Sequence, residues 1–158
     1  MNIEFCHLSN IEIADIISLL TNDRVLKHMP LAKDSLFDEK QCLDWVKGKE
    51  KQWQEHGYGP WAFLVDNKFA GWGGLQYEDG DADLALVLHP QYWGLGKKIF
   101  NEIIRKAFNE MGMESITILL PPTRNKLKGV YLLGFEFESE IMLSGECFIK
   151  YRLYKPSI

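Results

Sequence analysis

Alternating apolar and polar positions predict a strand at the start of the chain and a helix directly after it. Within residues 3–7, Ile3 and Phe5 alternate with more polar neighbours, which is typical of a half-buried strand. Ser9 and Glu12 have the spacing of a capping box, so a helix is expected to begin there. Four apolar side chains then recur at helical spacing: Ile13, Ile16, Ile17 and Leu20.

A second helix is predicted from a second cap. Asp38 and Gln41 again have the spacing of a capping box, and apolar residues follow at helical spacing to about Gln54. Residues 27–37, between the two helices, are predicted to form a loop.

The middle of the chain predicts three consecutive strands. Residues 61–65 and 68–77 are expected to pair across a turn at Asp66 and Asn67. After a second turn, residues 84–88 are almost continuously apolar, as expected for a strand buried on both faces.

The clearest helix is predicted over residues 97–111, because apolar side chains occupy one face and polar ones the other. Gly112 suits its carboxyl-terminal cap. The remaining predicted elements are a strand at 115–120, a short helix within 123–133, and a hairpin of residues 135–143 and 147–154 around Ser144 and Gly145.

This order of elements predicts an α/β fold with a single mixed central sheet of about seven strands and flanking helices. With neither repeats nor linkers in the sequence, one domain over residues 1–158 is expected.

Composition and charge narrow the function. The 158 residues are 46% hydrophobic and carry a net charge of −4, so a nucleic-acid binder is not expected. The sequence shows neither a signal-peptide pattern nor an apolar run long enough for a membrane span. Cys6, Cys42 and Cys147 are odd in number and widely spaced, which predicts reduced thiols in a cytoplasmic protein. The histidines lack metal-ligand spacing, so no metal site is expected.

The segment after the third of these strands carries the candidate chemistry. Gly94 and Gly96 stand between a buried strand and an amphipathic helix, where glycine can adopt backbone angles closed to other residues. The free N–H groups and positive dipole end of the helix would favour a phosphate or pyrophosphate. Lys97 and Lys98 add positive charge. The alternative is that the glycines merely form a tight turn.

Two common phosphate-binding patterns do not fit this segment. A Walker loop requires Ser or Thr after a glycine–lysine pair, whereas Lys98 follows Lys97 here. The dinucleotide fingerprint requires a third glycine where Ile99 stands.

The segment instead resembles the acetyl-coenzyme A loop of the GNAT acetyltransferase superfamily. That loop reads Gln or Arg, two residues, Gly, one residue, and Gly or Ala, and residues 91–96 match it fully. The amino-acid sequence around Tyr92 and Trp93 is most similar to that of the branch of ribosomal-protein N-terminal acetyltransferases. Gly134 and Phe135 also resemble the pair that opens the family's sixth strand.

The resemblance implies a binding site for acetyl-coenzyme A (acetyl-CoA) made mostly of backbone. The edge of the strand at Leu86, Val87 and Leu88 would pair with the pantetheine arm, and one N–H there would stabilise the oxyanion. The pyrophosphate would bind the loop and helix start: Gln91, Tyr92, Trp93, Gly94, Leu95, Gly96, Lys97 and Lys98. Asn125 resembles the Asn that contacts the pantetheine.

The resemblance also implies two catalytic candidates. Asp83 occupies a position where this branch often has a Glu base. The alternative, which is slightly favoured, is that Asp83 is one more solvated acid of the turn that contains Glu78, Asp79 and Asp81. Tyr131 stands one residue beyond the usual position of a Tyr acid, which is Val130 here. Tyr131 is therefore read either as an acid reaching the thiolate or as a packing residue.

The predicted function is transfer of an acetyl group from acetyl-CoA to a primary amine: a peptide N-terminus, a lysine or a small amine. A non-catalytic sensor of acyl-CoA is the alternative, and a structural protein that has lost the ligand is the third. A homodimer is left open. Six aromatic residues are predicted to belong to the core, with the lining of an acceptor cleft as the alternative: Trp45, Trp53, Tyr58, Trp61, Trp72 and Tyr77.

Overall fold

A computed structural model describes residues 1–28, 37–123 and 127–157. The strands are β1 (Ile3–Cys6), β2 (Pro60–Val65), β3 (Lys68–Glu78), β4 (Asp81–Leu88), β5 (Ser115–Leu120), β6 (Glu136–Leu143) and β7 (Glu146–Tyr154). The helices are α1 (Ile13–Leu20), α2 (Asp23–Leu26), α3 (Glu39–His56), α4 (Gly96–Arg105) and α5 (Lys128–Leu132).

All seven strands form one mixed sheet in the order β1-β2-β3-β4-β5-β7-β6. Neighbouring strands are antiparallel except β4 and β5, which are parallel. The predicted fold class, a mixed α/β sheet of about seven strands, is therefore confirmed. Two short turns also fit the prediction, since Asn67 and Ser144 have the left-handed φ values (69° and 50°) that tight hairpin turns use.

The parallel pair β4–β5 is unusually short. Only Asp83 and Thr117 are registered with each other, whereas β3 and β4 pair over eight positions from Gly71–Leu88 to Glu78–Asp81. Beyond Asp83, β4 and β5 therefore separate, and the side of β4 that faces β5 is left without a partner strand.

Helices cover the two faces of the sheet. On one face, α4 buries Ile99 and Ile103 against β4 and β5, in the larger core. On the other face, α1 and α3 bury Ile16 and Val46 in a second core that includes Trp72. Apolar residues of β4 alternate between these two cores, which explains why its sequence is almost continuously apolar.

The helix caps were predicted with mixed success. Asp38 and Gln41 form the predicted capping box at the start of α3, a contact typically worth about 1 kcal/mol. The predicted box of Ser9 and Glu12 is wrong, because Ser9 lies in a 3-10 turn (Leu8–Asn10) and α1 begins after Glu12 without a side-chain cap.

Two further helical features differ from the sequence prediction. The α2 helix, capped by the Asn22 side chain, was not predicted, and residues 29–36 of the predicted loop lie outside the described residues. The predicted helix over residues 97–111 is α4 followed by a π-helical turn, Lys106–Glu110. Gly112 ends it with φ of 67°, as predicted for a cap. Within the described ranges, no helix is long and apolar enough to cross a membrane.

Candidate active site

The unpaired side of β4 exposes the backbone of Leu86 and Leu88. The N–H of His89 donates to the carbonyl of Ala70 (2.8 Å), so odd-numbered residues of this strand direct their backbone groups towards β3. The carbonyl of Val87 accordingly approaches Gly71, where a Cβ would lie 2.1 Å from the carbonyl oxygen. The N–H and C=O groups of the even-numbered residues therefore point towards β5. Of the three residues expected to pair with the pantetheine arm, only Leu86 and Leu88 direct their backbone groups to the open edge.

A cavity of about 530 Å³ lies at this open edge. It is lined by Val25, His28, Leu86, Val87, Leu88, Trp93 and Gly96. Val25 of α2 and His28 thus form one wall. Sequence reasoning missed this wall because no apolar periodicity marks so short a helix. His28 and Arg24 contact the Trp93 ring, with centroid distances of 5.7 and 4.8 Å.

The segment from Pro90 to Gly96 connects the edge to α4 without using glycine's unusual backbone angles. Pro90–Leu95 forms a 3-10 turn, and Gly96 has φ of −54°. The expectation that Gly94 and Gly96 adopt angles closed to other residues is therefore wrong, because the chain turns right-handed throughout. Gly96 lies beside the open edge, since a Cβ there would be in ordinary van der Waals contact, 4.0 Å, with the Leu86 and Leu88 side chains.

Hydrogen bonds inside this segment already use part of its backbone. The N–H of Tyr92 donates to His89 O (2.8 Å), and the N–H of Gly96 donates to Trp93 O. The indole N–H of Trp93 donates to Leu88 O at 2.8 Å, on the open edge itself. A ligand that pairs with this carbonyl therefore either shares it with the indole, through its second lone pair, or displaces the indole.

The other predicted loop residues divide into exposed and packed ones. Four of them are exposed: Gln91, Gly94, Lys97 and Lys98. Tyr92 and Leu95 instead pack against the larger core. Lys98 also lines a second cavity of about 470 Å³, between α4 and β1, which contains none of the predicted catalytic residues. Asn125 lies outside the described residues.

Asp83 lies where β4 and β5 separate. Its side chain is 8% exposed, and its Oδ1 accepts a hydrogen bond from the Thr117 hydroxyl at 2.8 Å. Burial raises the pKa of Asp83 to about 7, and the Thr117 hydrogen bond opposes the rise while Glu78 adds to it. Asp83 is thus a buried acid and not a solvated turn residue.

The neighbouring acids have other roles. Asp79 occupies the turn with φ of 50°, and Asp81 forms ion pairs with Lys150 (2.5 Å) and Arg152 (3.0 Å). Burial pushes the pKa of Asp81 up, but the hydrogen bonds from Arg152 and Lys150 outweigh it, so the pKa is lowered. The pKa values of Asp81 and Asp83 are therefore shifted in opposite directions.

Tyr131 lies apart from this edge. Its side chain is 51% exposed and contacts the Tyr151 ring edge-on with centroids 5.9 Å apart, and it does not line the cavity at Leu86–Leu88. Val130, at the usual position of the family's Tyr, is buried in the larger core. This geometry favours the packing interpretation of Tyr131.

The aromatic residues mostly belong to the core, as expected. Trp61 and Trp72 are buried, Trp45, Trp53 and Tyr58 are partly buried against the two cores, and Tyr77 is 44% exposed. Among the described residues, no group of three or more His, Cys, Asp and Glu side chains is arranged to hold a metal ion.

Solved structures with the same architecture are acetyltransferases. A GNAT-family acetyltransferase from Bordetella pertussis has a TM-score of 0.72 and 13% identity, covering 94% of this chain and 93% of its own. A protein described as a ribosomal-protein-serine acetyltransferase from Vibrio cholerae has a TM-score of 0.70 and 14% identity, over 98% and 94%. The microcin C7 self-immunity acetyltransferase MccE, solved with acetyl-CoA and AMP, has a TM-score of 0.73 and 13% identity, over 96% and 92%. The fold is that of the acyltransferases.

The sequence itself matches the family described as "Acetyltransferase (GNAT) domain" over residues 5–126. The chain therefore belongs to the GNAT acetyltransferases, and the predicted family is confirmed. Curated proteins gave no match to the sequence.

Proposed function

We propose that the protein is an N-acetyltransferase that moves an acetyl group from acetyl-CoA to a primary amine by direct attack. The observation that carries this proposal is the open edge of β4, which meets the α4 start at one end and buried Asp83 at the other. From Leu88 to Asp83 the strand extends about 17 Å. That span suits an extended pantetheine arm, with its phosphates at α4 and its thioester near Asp83.

Backbone groups do most of the binding in this proposal. Leu86 and Leu88 pair with the amides of the arm, as an added strand would. The amides around Gln91–Lys98 and the positive end of α4 hold the pyrophosphate, with the exposed ammonium groups of Lys97 and Lys98 beside it. Trp93 releases the Leu88 carbonyl when the arm pairs there.

Asp83 acts as the general base. A primary amine arrives largely protonated at neutral pH, and Asp83, with its pKa near 7, is about half ionised and can accept the proton. The free amine nitrogen then bonds to the acetyl carbon while the N–H of Leu86 stabilises the oxyanion. The carbon–sulfur bond breaks, the attached nitrogen gives its remaining extra proton to solvent to become the amide, and the thiolate takes a proton from solvent. Tyr131 has no part in this scheme.

The similar structures support acetyl-CoA as the acetyl donor more strongly than they support any one acceptor. MccE was solved with acetyl-CoA and shares this fold, and the Vibrio cholerae neighbour is described as acting on a ribosomal protein. We therefore keep peptide N-termini, lysines and small amines as acceptor classes. In this proposal the protein is one domain over residues 1–158 and is located in the cytoplasm. Whether it forms a homodimer is left open.

A melt with and without acetyl-CoA tests the donor site, with NADH and ATP as controls. Acetyl-CoA at a hundred times its Kd should stabilise the fold by roughly 2.7 kcal/mol, a Tm rise of roughly 5–11 °C. Release of free thiol in the presence of an amine panel then tests turnover. Binding without thiol release would indicate the sensor, and the absence of any Tm rise would indicate a structural protein.

A further inference from the structure

A half-buried lysine on α3, Lys49, lies close to the proposed acceptor side of the site. The Nζ of Lys49 is 4.8 Å from the Trp72 ring centroid and 5.4 Å from that of Trp45, and it donates a hydrogen bond to Gln76 Oε1. In the part of the chain that the structure describes, no carboxylate lies within ion-pair distance of it. Burial lowers the pKa of Lys49 to about 8, although Glu78 opposes this change.

The position of Lys49 follows from the register of β3 and β4. Trp72 is opposite Val87, and Gln76 is opposite Asp83. Because Nζ contacts both Trp72 and Gln76, it lies above the pair between them, Gly74 and Ala85. The next registered pair along these two strands is Gln76 and Asp83, so Nζ lies about one pair away from Asp83 along the sheet.

The indole N–H of Trp72, whose ring Lys49 contacts, lacks an acceptor in the described part of the chain. Nε1 of Trp72 is buried and has no hydrogen-bond partner among the described residues. Glu50, the next residue on α3, does not supply one. Its Oε2 contacts His7 Nδ1 at 3.1 Å towards β1, and its Oε1 makes no hydrogen bond with any described group. A buried N–H without an acceptor is costly, and the half-buried ammonium beside it donates only to a neutral amide oxygen and has no counter-ion among the described residues, so an anion bound there would satisfy both groups.

We propose that Lys49 and the indole N–H of Trp72 bind a carboxylate carried by the amine acceptor. The substrate class is then an amino acid or a similar small amino carboxylate, with its amine towards Asp83. A monoanion is favoured over a phosphate because Glu78 and Asp83 lie nearby and would repel a second negative charge. This inference rests on the proposed acetyl transfer to an amine.

The test compares Lys49→Met with Lys47→Met, which removes an exposed lysine from the same helix. The kcat/KM is measured for amino acids and for their carboxamides. The wild type and Lys47→Met should favour the amino acid, and Lys49→Met should reduce that preference at least roughly tenfold, as expected for a charge-assisted hydrogen bond. An unchanged preference in Lys49→Met, or a preference for phosphorylated amines in the wild type, would overturn the proposal.

Stability provides a second readout. Removing a half-buried ammonium without a counter-ion should raise the Tm of Lys49→Met, by roughly 2–8 °C, whereas a purely structural lysine would lower it. An N-acetyl amino acid with CoA, as the product complex, should raise the Tm of the wild type but not of Lys49→Met beyond the effect of CoA alone. If CoA alone gives no Tm rise in the wild type, the proposed acetyl-CoA site is wrong, and this result is distinct from a failure of the carboxylate site. If CoA raises the Tm but the product adds nothing, the carboxylate proposal is wrong.

Discussion

The two ends of β4 provide chemistry in different ways. At the carboxyl end, Leu86 and Leu88 present backbone groups to an open edge, and Gly96 lies beside that edge. At the amino end, the proposed base is one side chain, Asp83, which is buried and has a raised pKa. The first kind of site tolerates many side chains, whereas the second depends on a single carboxylate and its surroundings.

Asp81 and Asp83 show how strongly the surrounding residues determine the pKa of a carboxyl group. The two acids lie two residues apart on the same strand, yet their pKa values move in opposite directions. Asp81 has Lys150 and Arg152 within 3.0 Å, and no cation pairs with Asp83 among the described residues. Burial therefore dominates the pKa of Asp83. Of these two carboxyls, only that of Asp83 has a pKa near neutral pH.

The largest expected effect comes from removing the amino-end carboxylate. Asp83→Asn should lower kcat/KM by about 10²–10⁴-fold, because a general base contributes about that much. Acetyl-CoA binding, measured by the Tm shift, should stay unchanged. Asp81→Asn is the matched control on the same strand and should keep most of the activity. Equal losses in both variants would mean that the fold, and not a base, is responsible.

The same carboxyl should leave a signature in stability. The pKa of Asp83 is about 7 in the folded protein and near 3.9 in an unfolded chain, so the folded state holds the proton more tightly. The contribution of Asp83 to stability is therefore complete below about pH 4 and is lost as pH rises to 7, by up to about 4 kcal/mol. Urea unfolding at pH 4 and pH 8 should show this loss in the wild type relative to Asp83→Asn.

A smaller effect is expected at the carboxyl end from Gly96→Ala. The residue has helical backbone angles, so alanine should stabilise the free protein by up to about 1 kcal/mol. The added methyl group would extend towards Leu86 and Leu88 and should cost about 1–3 kcal/mol in binding, roughly 5–150-fold in the Kd for acetyl-CoA. Calorimetry and melting of the free protein measure the two effects. A higher Tm with unchanged affinity would argue against an arm at this edge.

Thr117 should affect the amino end more mildly. Its hydroxyl donates to the Asp83 carboxylate and lowers its pKa, so Thr117→Val should raise the apparent pKa of the kcat/KM profile. A net hydrogen bond of about 0.5–1.5 kcal/mol corresponds to roughly 0.4–1 pH unit. Thr117→Ser keeps the hydroxyl and should restore the profile. A uniform loss of activity at all pH values would contradict this role.

The smallest effect is expected for Tyr131→Phe. Its exposed side chain contacts Tyr151 and lies away from both ends of the open edge. Its kcat should remain within about twofold of the wild type, since general acids that matter contribute about 10²-fold or more. A kcat lowered that far, with folding intact, would restore Tyr131 as the acid and show that α5 moves during the reaction.

The sequence determined the features that depend on neighbouring residues. The alternation in β2 and β3 and the apolar run in β4 gave the strands, and the Asp38–Gln41 cap gave the start of α3. The glycine pattern located the loop because it is contiguous with the strand and the helix around it. The Ser9–Glu12 prediction failed because a 3-10 turn uses the same residue types as a helix cap.

Only the tertiary structure decided where chemistry is available. Asp83 and Thr117 are 34 residues apart, and Lys49 and Gln76 are 27 apart, so no local pattern connects them. The opening between β4 and β5 follows from their single registered pair, and the raised pKa of Asp83 follows from its burial at that point. Burial and electrostatics depend on which distant residues surround a group, and that arrangement exists only once the chain has folded.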